Sequence, residues 1–92
     1  MKAAIYVSTY AGPAYDEQLA RAHAFCEAHG MVPGTVYPAD VLRDKRQVEQ
    51  LLAAAKAGRF EVLVAPFPDC FPTAFLKRLV AAGAGLACHN AR

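Results

Sequence analysis

Three hydroxyl side chains lie close together near the amino end of the chain, in the stretch AAIYVSTYAG over residues 3–12. Ser8, Thr9 and Tyr10 follow an apolar run there. A hydroxyl becomes a useful nucleophile only when a base or fixed cations activate it, and this stretch contains no charged residue. Any chemistry at these hydroxyls therefore depends on charged groups from elsewhere in the chain.

Thiol, imidazole and carboxylate groups follow two later apolar runs. Asp69 and Cys70 come after the first, and Cys88 and His89 come after the second. The three cysteines (Cys26, Cys70 and Cys88) lack a C-x-x-C spacing, so we predict neither a disulfide framework nor a zinc site. If the two runs form neighbouring strands, Cys70, Cys88 and His89 approach one another, and a thiol pair or a metal site is an alternative. No cofactor is predicted.

Composition limits the class of protein. The 92 residues fit one small domain over 1–92, and a 55% apolar content favours a core of small residues. The chain has no apolar run long enough to span a bilayer and no signal-peptide pattern, which predicts a cytoplasmic protein without a membrane partner. The net charge of +2 is mild, so the basic clusters at 43–46 and 77–78 are interpreted as solvated helix faces.

Periodicity positions these groups on a regular framework. Apolar spacing and glycine stops predict strands at 2–9, 31–37, 60–66 and 85–89 and helices at 15–29, 44–57 and 72–82. The order βαβαβαβ predicts a three-layer α/β fold, with a mainly parallel four-stranded sheet flanked by helices. The carboxyl ends of such strands collect functional groups, here at residues 8–10, 37–40, 67–70 and 88–90.

Side-chain spacing also predicts which helix faces are buried. The expected inner faces are Tyr15, Leu19, Ala22, Phe25, Cys26 and His29 on the first helix, Val48, Leu51, Leu52 and Ala55 on the second, and Phe75, Leu76, Leu79 and Val80 on the third. Pro33 and Gly34 favour an edge position or a bulge for the second strand. Phe67, Phe71 and Phe75 are a candidate exposed patch, although core packing explains Phe75 more simply.

Several segments together resemble a known family. AAIYVST, QLARAHAFCEAHG, KRQVEQLLAAAKAGRFEVLVA and FPDCF are similar to the catalytic domain of the serine recombinases, the resolvase/invertase group. The resemblance runs over nearly the whole chain and is most specific in AAAKAGRFEVLV. It implies a resolvase-like fold and the transfer of a DNA phosphodiester to a serine hydroxyl. That chemistry needs several arginines, because guanidinium groups neutralise the charge on the transition state.

The resemblance fails at the catalytic positions. Without gaps, Ser8 takes the place of the family's first active-site arginine, and Tyr10 takes the place of its nucleophilic serine. Asp69 matches an acidic family residue, whereas Cys70 and Thr73 replace two arginines. Lys45 keeps a charge without the bidentate fork of arginine. A two-residue deletion would instead make Ser8 the nucleophile, with the arginine still missing.

These losses predict a domain without catalysis that acts as an interaction or regulatory module in a DNA-recombination or mobile-element setting. A homo-oligomer such as a dimer, or another protein, is then the expected partner. The family's helix-turn-helix module has no counterpart in 1–92, so DNA is a partner only if further domains exist. One alternative is an active or partly active recombinase fragment that uses Ser8, Lys45 and Asp69. A second is a flavodoxin-like small-ligand binder.

Individual residues have simpler interpretations. Tyr10 could attack a phosphodiester, as tyrosines do in other enzymes, but packing in its loop is the favoured role. Asp69 is expected to accept backbone hydrogen bonds at the start of the third helix. The stretch STYAGPAYDE lacks the glycines and the lysine of a phosphate-binding loop.

Overall fold

The computed structural model describes residues 1–8 and 15–89. Its elements are β1 (Lys2–Val7), α1 (Tyr15–Ala28), β2 (Val32–Pro38), α2 (Lys45–Lys56), β3 (Val62–Ala65), α3 (Thr73–Ala81) and β4 (Gly85–Cys88). Two short 3₁₀ helices, which the periodicity does not predict, follow β2 at Ala39–Arg43 and β3 at Pro68–Cys70. The predicted elements are confirmed, with every described boundary within about two residues of its expected position.

The sheet is parallel throughout its described strands, in the order β2-β1-β3-β4. The two inner strands have near-continuous apolar sequences, as strands covered on both faces require. Leu63, Val64 and Ala65 of β3 are fully buried, and Ala3 to Val7 of β1 are at most 2% exposed. The three-layer α/β fold class is therefore confirmed.

Helices cover both faces of this sheet. On one face, α1 packs Ala22 and Cys26 against Ile5, Val7 and Val64. On the other face, α2 and α3 bury a larger cluster that includes Tyr6, Leu51, Leu63, Ala65, Phe71, Phe75 and Leu79. Consecutive residues along a strand thus belong to opposite layers, and Tyr6 is on the α2/α3 side of β1.

Two of the predicted helix faces are partly wrong. On α1, Tyr15 is 49% exposed and His29 is also exposed, whereas the polar residue Gln18 is 3% exposed. The buried row is Gln18, Ala22 and Cys26, because residues four apart share one helix face. On α3, Val80 is 69% exposed, since Phe75 and Leu79 already fill the inner face.

The proposed phenylalanine patch is also wrong. Phe71 and Phe75 are 7% and 6% exposed, and their rings stack with centroids 5.3 Å apart. Phe67 is half-buried. The side chains point inward because the turn after β3 folds back over the α2/α3 layer, where the Tyr6 ring packs 4.7 Å from Phe71.

Edge and turn positions agree with the sequence pattern. β2 is an edge strand, and its register against β1 shifts between Ala3 and Ile5, close to Pro33 and Gly34. The α2 helix stops at Gly58, which has φ +76°, a conformation that costs other residues free energy. No helix within residues 1–8 and 15–89 has the length and apolarity to cross a membrane.

Candidate functional site

The carboxyl edge of the sheet brings most of the predicted site residues to one end of the molecule. Ser8 follows β1, Lys45 opens α2, Asp69 and Cys70 lie in the 3₁₀ helix after β3, and Thr73 opens α3. Tyr10 and most of the stretch STYAGPAYDE lie outside the described residues. The parallel topology therefore gathers the described candidates at this edge, and their individual environments decide what they can do.

Ser8 is held by a side chain that the sequence analysis did not single out. The Ser8 backbone N–H donates to Oε1 of Gln18 over 2.9 Å, and Nε2 of Gln18 donates to the Ser8 carbonyl oxygen. Both residues are buried, with exposures of 4% and 3%. The Gln18 amide thus pairs with the Ser8 backbone as a neighbouring strand would. These two hydrogen bonds fix the backbone at the end of β1.

Aromatic rings fill the α2/α3 layer below Ser8. Tyr6, two residues before Ser8, packs on Phe71, which stacks on Phe75. All three rings belong to the buried core cluster on this face. An apolar environment of this kind makes a charge costly unless other charges or hydrogen bonds compensate for it.

Asp69 does not have the capping role expected for it. The residue before α3 is Pro72, which provides no side-chain hydrogen bond to the helix. Asp69 is exposed in its 3₁₀ helix, and no hydrogen bond joins its carboxylate to another described residue. Proline fixes the backbone angle at the start of α3 instead, so the helix begins without a carboxylate cap. Thr73 is exposed at the first position of the helix.

Lys45 lies in a polar segment at the start of α2. Asp44 caps this helix by accepting a hydrogen bond from the Arg46 backbone N–H over 2.9 Å. Lys45 and Arg46 are exposed, and Arg43 approaches Asp40 at 3.9 Å, with both side chains largely in solvent. This segment matches the interpretation of residues 43–46 as a solvated surface, where ion pairs contribute little.

Cys70 and Cys88 come to the same side of the sheet at neighbouring strand ends. Cys88 pairs in register with Ala65 of β3, whose side chain belongs to the α2/α3 layer. Cys70 is packed against that same layer from the turn after β3. Burial raises the pKa of the Cys88 thiol, and the negative charges of Cys70 and Asp69 raise this pKa further.

His89 lies on the opposite side of the sheet from these thiols. It follows Cys88 directly, so strand alternation directs it toward the α1 layer. Both ring nitrogens are buried, and neither has a hydrogen-bond partner among residues 1–8 and 15–89. Burial lowers the pKa of His89, and the positive charge of Arg21 on α1 lowers it further. Among residues 1–8 and 15–89, no three His, Cys, Asp or Glu side chains form a metal-binding group.

Two surface grooves lie away from this edge. One, of about 400 Å³, runs between α2 and α3 and includes Leu52, Ala53 and Ala81. The other, of about 600 Å³, lies between α2 and β2 and includes Tyr37, Gln50 and Arg59. Both include Ala53 of α2 and neither includes Ser8, Lys45, Asp69, Cys70 or Thr73, so neither groove belongs to the candidate site.

No family model matches this chain, and neither a curated protein nor a solved structure matches it. Function must therefore be inferred from the residues and their geometry.

Sequence reasoning missed Gln18 at the candidate site and grouped His89 with the cysteines. Gln18 could have been found from its four-residue spacing with Ala22 and Cys26, because a polar residue within an apolar row must find a buried partner. His89 was considered only as a partner of the cysteines. The strand alternation that separates it from Cys88 is readable from the sequence once β4 is assigned.

Proposed function

We propose that this chain is a serine-recombinase-like module that has lost strand-exchange chemistry and acts through protein contacts in a DNA-recombination or mobile-element setting. The observation that carries the proposal is the burial of Ser8, which is 4% exposed with its backbone held by Gln18. A nucleophile must reach the phosphorus of a large duplex along a defined line of attack. A hydroxyl on a buried and clamped residue is poorly suited to that approach.

The residue types at the other matched positions support the same proposal. Phosphodiester transfer builds negative charge that several fixed guanidinium groups must neutralise. Cys70 is half-buried beside Asp69, and neither side chain provides the positive charge that an arginine would. Thr73 carries no charge. Loss of one stabilising donor typically costs about a hundred- to a thousand-fold in rate, so loss of several leaves no useful reaction.

A plasmid assay tests the absence of catalysis. The chain is fused to a sequence-specific DNA-binding domain, because tethering raises its local concentration at the target without adding active-site groups. An active serine recombinase catalytic domain in the same fusion is the positive control. We expect no relaxation and no recombination of a two-site plasmid by the fused chain. Relaxation that disappears in Ser8→Ala or Tyr10→Phe would instead favour the alternative of an active fragment.

Protein contact is the second part of the proposal. Val32 and Val80 are 65% and 69% exposed, and these apolar surfaces are available for association. Sedimentation equilibrium measures the self-association constant of the chain, and Val80→Glu tests the contribution of α3. We expect the charged variant to weaken association. A chain that stays monomeric at all concentrations and has no protein partner in a cross-linking experiment would contradict the interaction role.

A small-ligand binder is a second candidate, favoured by the order of the strands. In the order β2-β1-β3-β4, the second strand is added on one side of β1 and the third on the other, and parallel sheets commonly bind ligands at the carboxyl ends of the strands at such a switch point. Flavodoxin-like proteins bind a flavin nucleotide there. A thermal-shift series with flavin mononucleotide and common nucleotides tests this candidate. A concentration-dependent increase in melting temperature would favour it over the interaction module.

A further inference from the structure

Cys70 and Cys88 are close in space although they are far apart in sequence. β3 and β4 are hydrogen-bonded neighbours, with Ala65 opposite Cys88, and the next residue, His89, donates its backbone N–H to the Ala65 carbonyl oxygen over 2.9 Å. The chain continues from Ala65 into the 3₁₀ helix Pro68–Cys70, which contacts β4. The two cysteines therefore occupy adjoining positions at the end of the sheet.

The two side chains also share one layer. Alternation along β4 puts Cys88 on the side of Ala65 and Leu86, and Leu86 packs against the α2/α3 core cluster. Cys70 packs against the same cluster from the turn above it. Both thiols are half-buried and in the free form, and Cys70 is close enough to raise the pKa of the Cys88 thiol.

We propose that Cys70 and Cys88 form a reversible intramolecular disulfide when the chain meets a disulfide oxidant such as oxidised glutathione. The bond would join the turn after β3 to the end of β4. This proposal does not depend on the recombinase-like role.

The reaction proceeds by two thiol–disulfide exchanges. The Cys70 thiolate attacks one sulfur of oxidised glutathione, forms a mixed disulfide and releases one glutathione thiolate. Cys88 then loses its proton to solvent and attacks the Cys70 sulfur, which expels the second glutathione thiolate. Two protein thiols are oxidised and one glutathione disulfide is reduced. Half-burial raises the pKa of the Cys88 thiol and lowers its thiolate fraction, so Cys88 suits the second step, where the attack is intramolecular.

Cys26 provides an internal control. It is fully buried on α1, on the other side of the sheet, and burial raises the pKa of its thiol. Cleavage by trypsin after Arg21, Arg43, Arg59, Lys77 and Arg78 leaves each of the three cysteines on a different peptide. A Cys70–Cys88 bond therefore appears as one cross-linked peptide pair, and a bond that involves Cys26 appears as a different pair.

The test treats the full chain with oxidised glutathione under native conditions, stops the exchange with acid, alkylates the remaining thiols with N-ethylmaleimide in denaturant and measures intact mass and non-reduced tryptic peptides. We expect a monomer that has lost two hydrogen atoms, with the 60–77 and 79–92 peptides joined and Cys26 alkylated. Dithiothreitol should reverse the change. Cys26→Ala should leave the bond intact, and Cys70→Ser should abolish it.

Other products would overturn the proposal. These are three alkylated thiols after prolonged oxidation, a stable glutathione adduct on the native chain, disulfide-linked dimers only, or a bond to Cys26. Because the peptide map is made on the unsubstituted chain, the proposal can be refuted even if a cysteine variant fails to fold.

Discussion

Replacement of Gln18 by alanine should strongly destabilise the fold. The Gln18 amide satisfies both the N–H and the carbonyl oxygen of Ser8 at a buried strand end. Each buried polar group left without a partner costs about 1–3 kcal/mol, so the two together cost about 2–6 kcal/mol. A chain of 92 residues has a total stability of about 5–14 kcal/mol. Gln18→Ala therefore removes a large part of the free energy of unfolding.

Urea unfolding followed by circular dichroism measures this loss. With a urea m-value of about 1 kcal/mol per M, each kcal/mol lost lowers the midpoint by about 1 M. Gln50→Ala is the matched control, because Gln50 is exposed on α2 and its loss should change stability by less than about 0.5 kcal/mol. A loss below about 1 kcal/mol for Gln18→Ala would refute the clamping role.

A second variant separates the two hydrogen bonds. Gln18→Glu keeps the size of the side chain and still accepts from the Ser8 N–H, but an ionised carboxylate cannot donate to the Ser8 carbonyl oxygen. A protonated carboxyl group can. The deficit of Gln18→Glu relative to the unchanged chain at the same pH should therefore shrink as the pH falls. A deficit independent of pH would contradict donation to the Ser8 carbonyl.

Three further perturbations test the packing and electrostatics. Because folding lowers the pKa of His89, the unfolded chain binds more protons below about pH 6.5, and stability should fall as the pH falls through this region. Urea midpoints at several pH values should show less of this loss in His89→Gln and an unchanged loss in the exposed control His23→Gln. Gly58→Ala should lower the free energy of unfolding by about 1–2 kcal/mol, because φ is +76° at this position. Gly85→Ala should cost less, because Gly85 does not have a positive φ. Equal costs would contradict backbone strain as the cause. Phe71→Ala should lower the free energy of unfolding in urea by about 3–5 kcal/mol, because it removes a ring that packs against Tyr6 and Phe75. A loss below about 1 kcal/mol would show that the turn after β3 is not part of the core.

Most of the fold could be predicted from the sequence because its signals are local. Glycine stops at Gly58 and Gly83 mark the ends of helices, and the apolar run around Leu63 predicts a strand covered on both faces. The edge position of β2 follows from Pro33, which cannot donate to a sheet ladder.

What the sequence could not predict depends on tertiary contacts. The burial of Gln18 requires hydrogen-bond partners at the end of β1, and helical periodicity does not show that these exist. The exposure of Val80 depends on how much of α3 the sheet covers, and the burial of Phe71 depends on the path of the turn after β3. Alternation does separate Cys88 from His89, but only once the limits and direction of β4 are known.

The candidate site could be located more easily than it could be interpreted. The parallel topology predicts that Ser8, Asp69 and Cys70 lie at the carboxyl edge, and the structure has them there, with Lys45 and Thr73 at the starts of the helices that follow. Their roles depend on burial and hydrogen bonding, which composition does not give. Asp69 is one example. Its sequence position suggests that it caps α3, but Pro72 is the capping residue and no side chain provides a capping hydrogen bond.

Covalent capture of DNA measures the proposed loss of catalysis most directly. The chain, fused to a DNA-binding domain, is incubated with its target duplex, denatured and separated by electrophoresis to detect protein bound to cleaved DNA. We predict no such adduct under conditions where an active recombinase fusion is readily captured. An adduct on the unchanged chain that is absent from Ser8→Ala or Tyr10→Phe would contradict the prediction, because it would identify a working nucleophile.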